Sequence, residues 1–212
     1  MNTKLKKILL GFGILIFVFI AFIYVNFFTN NTELNQKEFY VKIPTGSTFE
    51  DVKEIMKPYV DNMTSFEFMA KRRSYPENVK AGRFLLKQGM SAFDQVATLR
   101  RNVPVDLAFN NQERLENLCE RLSAQIEPNT TKLLATFRDS IFLKENGFTN
   151  ENVFSMILPN TYQVYWNISA EKFRAKMLEE YKKFWNAERL NKAKQLDLTP
   201  VQVTTLASIV HK

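Results

Sequence analysis

One histidine, one cysteine and a few carboxylates are the groups in this 212-residue chain that could carry chemistry. His211 directly follows the run Leu206-Ala-Ser-Ile-Val210. An imidazole titrates near neutrality and can move a proton. Cys119 is alone and forms no internal disulfide. Its neighbours Leu118 and Leu122 suggest a buried helical position, where a thiol behaves as a small hydrophobe. A single His and a single Cys offer no zinc-ligand spacing, so no metal is expected. No cofactor motif is present either, and no cofactor is expected. Glu171, Glu179 and Glu180 fall on the solvent side of a helical pattern, which leaves them solvated rather than catalytic. Asn160 and Tyr162 are the candidate substrate-binding pair. They close the stretch Phe154-Ser-Met-Ile-Leu-Pro-Asn-Thr-Tyr162, read as a buried loop. Pro159 removes a backbone donor there, and Asn160 can close an Asx-turn. Tyr162 and Trp166 are aromatics of the kind that stack on pyranose rings, although core packing is their commoner use.

The elements that position these groups follow from capping and periodicity. Thr199, Pro200 and Gln202 form a capping box with a pre-set first turn, and Leu206, Ile209 and Val210 supply an apolar face. Residues 169–186 read as an amphipathic helix, with Phe173, Met177 and Tyr181 near one stripe and lysines opposite. Residues 191–196 read as a short helix after it. Upstream, residues 112–126 and 130–142 read as helices, with Gly147 as a left-handed C-terminal cap. Residues 103–109 are a candidate strand. Nearer the amino terminus the order is strand, helix, helix, strand, helix. The strands are 39–43 and 83–87. Ser47 with Glu50, and Thr64 with Glu67, are the expected capping boxes of the first two helices. Pro58 ends the first helix. Ser91 starts the third helix, with Phe93, Val96 and Leu99 as its apolar face.

The run 198–210, LTPVQVTTLASIV, resembles the segment that opens the catalytic domain of the endolytic murein transglycosylase (YceG-like) family. The stretch 154–162 resembles a second family signature, with Asn160 where an Asp is usual. IPTGSTFEDV and KAGRFLLKQGMS are similar to turns in the family's LysM-like module. The resemblance implies an α+β chain in a fixed order. That order is a cytoplasmic tail (1–7), a transmembrane helix (8–25), a linker (26–38) and a LysM-like βααβ module (39–102). A mostly helical connecting region (103–198) and the first helix of the catalytic domain (199–212) follow. In the family one glutamic acid cleaves the MurNAc–GlcNAc bond and leaves a 1,6-anhydro end. His211 occupies the position of that glutamate. The chain is therefore expected to be truncated at the start of the catalytic domain and inactive. The competing expectation is a non-catalytic, membrane-anchored envelope protein that binds glycan or a division partner.

Composition agrees with an envelope protein. Residues 8–25, opening on Ile8 and closing on Val25, carry no charge. As a helix they span roughly 27 Å, close to the hydrocarbon thickness of a bilayer. Lys4, Lys6 and Lys7 precede them and place the amino terminus in the cytoplasm. Asn26-Phe-Phe offers no small-residue cleavage site, which favours an anchor over a signal peptide. The rest of the chain then lies outside the cytoplasm. The expected partners are the lipid bilayer, through Ile8 to Val25, peptidoglycan glycan strands, and cell-wall synthesis or division proteins. A formal net charge of +7 without a nucleic-acid motif argues against nucleic acid.

Overall fold

The computed structural model describes residues 3–210. The chain is mixed α/β and mostly helical, and it divides into two units, Met1–Val103 and Pro104–Lys212.

The first unit opens on α1, Thr3–Phe28, an unbroken helix of 26 residues. Its stretch Leu9–Phe28 has a mean hydropathy of 2.5, and its side chains stay largely exposed until the last turn, where Phe27 packs against the core. The helix is long and apolar enough to cross a bilayer, and is compatible with a single-pass anchor. Two strands then pair antiparallel, β1 (Glu38–Ile43) and β2 (Gly82–Lys87), with Tyr40 opposite Leu85 and Ile43 opposite Gly82. Between them run α2 (Phe49–Met56) and α3 (Met63–Arg72), and α4 (Ala92–Thr98) follows. The core holds Val41, Ile43, Val52, Met56, Phe66, Ala70, Tyr75, Phe84, Leu86, Val96 and Leu99. Each of the larger side chains contributes about 1.5–3 kcal/mol by leaving water.

Several caps sit elsewhere than the spacing predicts. Ser47 donates to the Pro44 carbonyl at 2.8 Å and so closes the preceding turn. Thr48 caps α2 instead, and Asp51 answers it, accepting from the Thr48 amide at 2.7 Å. Asn62, not Thr64, caps α3, since its side-chain oxygen accepts from the Ser65 amide at 3.1 Å. Ser91 caps α4 as expected, with Asp94 completing the box. Phe93 is not on the buried face of that helix. Ala92, Val96 and Leu99 fill the core, and Phe93 stays 37% exposed.

The polar stretch after α1 is tied down. Asn31 and Thr32 are buried. Thr32 bridges Val60, and the Asn31 amide donates to the Met90 carbonyl at 2.8 Å. Gln95, fully buried, donates to the Asn31 carbonyl at 2.7 Å and accepts from its side-chain amide at 3.1 Å. At the other end of the unit, Gly82 adopts φ +149°, and a Cβ there would stand 2.5 Å from the Asn102 side chain. That side chain accepts from the Arg83 amide at 3.0 Å, which is why β2 opens on glycine.

The second unit also centres on a strand pair, β3 (Pro104–Phe109) with β4 (Asn160–Tyr165), antiparallel and with Leu107 opposite Tyr162. Between the strands run α5 (Leu115–Ser123), α6 (Thr130–Phe137) and α7 (Ser140–Asn146). The expected single helix over 130–142 is broken at Arg138 and Asp139. The Asp139 side chain accepts from the Ile141 amide at 3.0 Å and starts α7 as its cap. Gly147 ends α7 in the left-handed region, φ 72°, as its position predicts. Then come α8 (Ala170–Phe184), α9 (Ala187–Gln195) and α10 (Pro200–Val210). Leu107, Leu118, Cys119, Leu122, Leu133, Phe137, Val153, Met156, Phe173 and Met177 form the core.

Candidate functional site

In the second unit, the residues singled out by sequence lie on β4 and around α10. Of the stretch 154–162 expected as a loop, residues 154–156 lie in a short helical turn and 160–162 open the strand β4. Tyr162 and Val164 are buried while Thr161, Gln163 and Tyr165 are exposed. The period of two was present in Thr-Tyr-Gln-Val-Tyr, but Pro159 and Asn160 masked it. Asn160 stands exposed at the start of the strand, opposite Phe109, and its side-chain oxygen accepts from the Thr161 amide at 2.7 Å. Tyr162 lies inward. Its ring stacks on Phe109 with centroids 5.5 Å apart, and its hydroxyl donates to the Leu158 carbonyl at 2.6 Å. Burial pushes its pKa up to about 12. Trp166 is 8% exposed. The aromatic that β4 offers to solvent is Tyr165, 54% exposed, which the loop reading missed. The alternation of the strand was the signal that could have found it.

α10 is capped as its sequence requires. The Gln202 side chain accepts from the Thr199 amide at 2.8 Å, and Thr199 Oγ1 accepts from the Gln202 amide at 3.3 Å. Val201 packs against the core, next to the turn formed by residues 153–156 just upstream of β4. Leu206, Ile209 and Val210 are exposed. His211 lies outside the described residues.

The carboxylates are set up for pairing. Lys132 beside Glu171, at 2.7 Å, holds its carboxyl down at about 2. Lys183 lowers Glu179. Among the described residues every carboxyl with a resolved shift is shifted downward: Asp51, Glu116, Asp139, Glu151, Glu171 and Glu179. A general acid needs the opposite, a proton held up to neutral pH by an apolar wall.

The first unit has its own concave surface. A groove of about 390 Å³ runs along β1 and is lined by Phe39, Tyr40, Val41, Lys42, Ile55 and Tyr59. Phe39 and Tyr59 stack with centroids 4.5 Å apart. The Arg83 guanidinium lies 4.2 Å from the centre of the Tyr40 ring, which remains 42% exposed. Flat aromatic faces beside cationic donors are suited to polyhydroxylated or anionic polymers.

These features define a mixed α/β chain with an apolar N-terminal helix and two small sheet-centred units. The sequence pattern of the YceG-like family matches residues 41–212, and the chain belongs to that family. No curated protein matches it. The crystal structure of a YceG-like protein from Listeria monocytogenes is similar, at 21% identity and a TM-score of 0.44. That match covers 77% of this chain and 60% of the Listeria protein.

Proposed function

We propose that the chain is a membrane-anchored member of the endolytic peptidoglycan transglycosylases, binding glycan strands in cell-wall biogenesis without cleaving them itself. The family match over 41–212 carries the reading. α1 serves as a single-pass anchor in the cytoplasmic membrane. Lys4, Lys6 and Lys7 keep its start in the cytoplasm, and both units stand on the outer side. Residues 39–102, with the βααβ arrangement of β1, α2, α3 and β2, serve as the LysM-like module, and the groove beside β1 is its glycan contact. Tyr165 and Asn160 on β4 offer a second one. Cell-wall synthesis or division proteins are the class of protein partner that fits this position.

The chemistry explains the second half of the proposal. Cleavage without water needs one carboxylic acid that protonates the glycosidic oxygen. The same carboxylate then takes the proton of the C6 hydroxyl as the 1,6-anhydro ring closes. No second carboxylate nucleophile is required, unlike in hydrolytic glycosidases. At the family's acid position this chain carries His211, an imidazole with different reach and geometry. The downward-shifted carboxyls of the described residues offer no replacement. A positioned general acid typically contributes a factor of about 10² to 10⁴.

The test is incubation of the purified full chain with sacculi, read in two ways. Co-sedimentation that weakens in the Tyr40→Ala chain is expected, together with no 1,6-anhydro muropeptides above a protein-free control. Release of such products would overturn the inactive half, and absence of co-sedimentation would overturn the glycan-binding half.

A further inference from the structure

We propose that the α3–α4 face of the first unit lies on the bilayer surface and binds the anionic headgroups of phospholipids. The inference rests on the reading of α1 as a membrane anchor. The last turn of α1 does not end free in solvent. The Phe27 ring stacks on Phe68 of α3 with centroids 4.7 Å apart, and Phe28 stacks on Phe93 of α4 at 5.6 Å. Phe68 and Phe93 therefore stand at the level where the anchor leaves the hydrocarbon. Even with those contacts they remain 53% and 37% exposed. Aromatic rings exposed at that depth are what a lipid–water interface accommodates.

Cations frame the rings. Arg72 follows Phe68 by one helical turn, Lys71 is its neighbour, and both are exposed. Arg100 and Arg101, just past α4, are exposed as well. The Arg73 guanidinium lies 4.4 Å from the centre of the Phe93 ring. Arg100 donates to the Arg73 carbonyl and so links the ends of the two helices. The acidic groups on these helices are already engaged. Asp94 accepts from the Ser91 hydroxyl at 2.7 Å, and Glu67 lies 3.5 Å from the Lys53 ammonium. The face thus presents aromatic rings bordered by a positive rim, the pattern of a surface that sits on anionic lipid. The buried ties of Asn31 and Thr32 to Gln95 and Met90 hold the segment between anchor and face in one place.

The experiment uses the full chain reconstituted in vesicles whose acyl chains are brominated. A tryptophan is placed by Phe68→Trp and, as a control on the sheet, by Tyr40→Trp. Each signal is taken as the difference from the unsubstituted chain, which has its own Trp166 and Trp185. The Phe68→Trp signal should be quenched in vesicles containing phosphatidylglycerol, and the Tyr40→Trp signal should not. Combining Arg72→Gln and Arg100→Gln should lower the docked-to-undocked ratio by about fivefold per residue in anionic vesicles. If carbonate extracts the chain from vesicles, the anchor falls and this proposal falls with it. If the chain stays inserted but Phe68→Trp is quenched no more than Tyr40→Trp, only this proposal falls. Should the Phe68→Trp chain misfold, amide exchange of residues 92–101 in the unsubstituted chain replaces it. Slower exchange in anionic than in neutral nanodiscs supports docking, and equal rates overturn it.

Discussion

Both units thread helices between the strands of an antiparallel pair, yet a buried polar network weighs more in one and ion pairs more in the other. In the first unit an uncharged polar network sits inside: Gln95 bonds to the Asn31 carbonyl, the Asn31 side chain and Thr32, all buried. In the second unit the buried core is mostly apolar, and ion pairs between its helices stand out, although Lys53 and Glu67 also join α2 to α3 in the first unit. Lys132 of α6 meets Glu171 of α8 at 2.7 Å, and Arg174 of α8 meets Asp139 at 3.2 Å. An amide network does not titrate and specifies one arrangement, because any other leaves buried groups unpaired. An ion pair as exposed as Lys132–Glu171 gives up little when broken, and it responds to pH and salt.

The contrast can be broken most forcefully in the core. Leu118→Ala should cost about 2–5 kcal/mol, with the loss in amide-exchange protection concentrated in residues 104–210. An equal loss across β1 and β2 would show that the two units share one core. Next in size is Gln95→Leu, which removes one of the two hydrogen bonds to the Asn31 carbonyl and an acceptor of the buried Asn31 side-chain amide, and should cost about 1–3 kcal/mol by urea denaturation, at acid and neutral pH alike. A cost that varies with pH would show that the network includes a charged member. Thr48→Ala should cost about 1 kcal/mol as a lost cap, and Ser47→Ala less, in the same measurement. The reverse order would return the cap to Ser47.

The smallest effect concerns Lys132→Met. The carboxyls of Glu171 and Asp139 are lowered in the folded chain, Glu171 to about 2. Lowered carboxyls contribute stability that is complete above the ordinary carboxylate range and is lost as pH falls toward the folded value. The difference in urea midpoint between the unsubstituted and Lys132→Met chains should thus be greatest near neutral pH. It should shrink toward pH 2. A difference that grows on acidification would remove the ion-pair account of the second unit.

Elements with their own local signal were legible in the sequence. The uncharged run gave α1, the Thr199–Gln202 box gave α10, and Gly147 gave the end of α7. What escaped depended on competition between near-equivalent residues or on distant partners. Ser47 and Thr48 are adjacent hydroxyls, and only the Pro44 carbonyl decides which of them caps. Asp139 reads as part of a helix until its side chain turns back on the Ile141 amide. β4 was hidden because its partner, β3, lies far upstream. Once paired, its alternation exchanges the roles of two tyrosines: Tyr162 faces the core and Tyr165 the solvent. Asn31 looked like part of a solvated linker because nothing local shows that Gln95 awaits it. That His211 stands at an acid position is an expectation of the resemblance alone, and His211 lies outside the described residues.

Cys119, fully buried on α5, has a thiol that burial pushes up to about 12. The thiolate is the form that reacts with alkylating agents, so the native chain should be nearly inert to them at neutral pH. As the only cysteine, it makes the native protein its own timekeeper: the rate at which an added maleimide is consumed reports how often α5 is laid open to solvent.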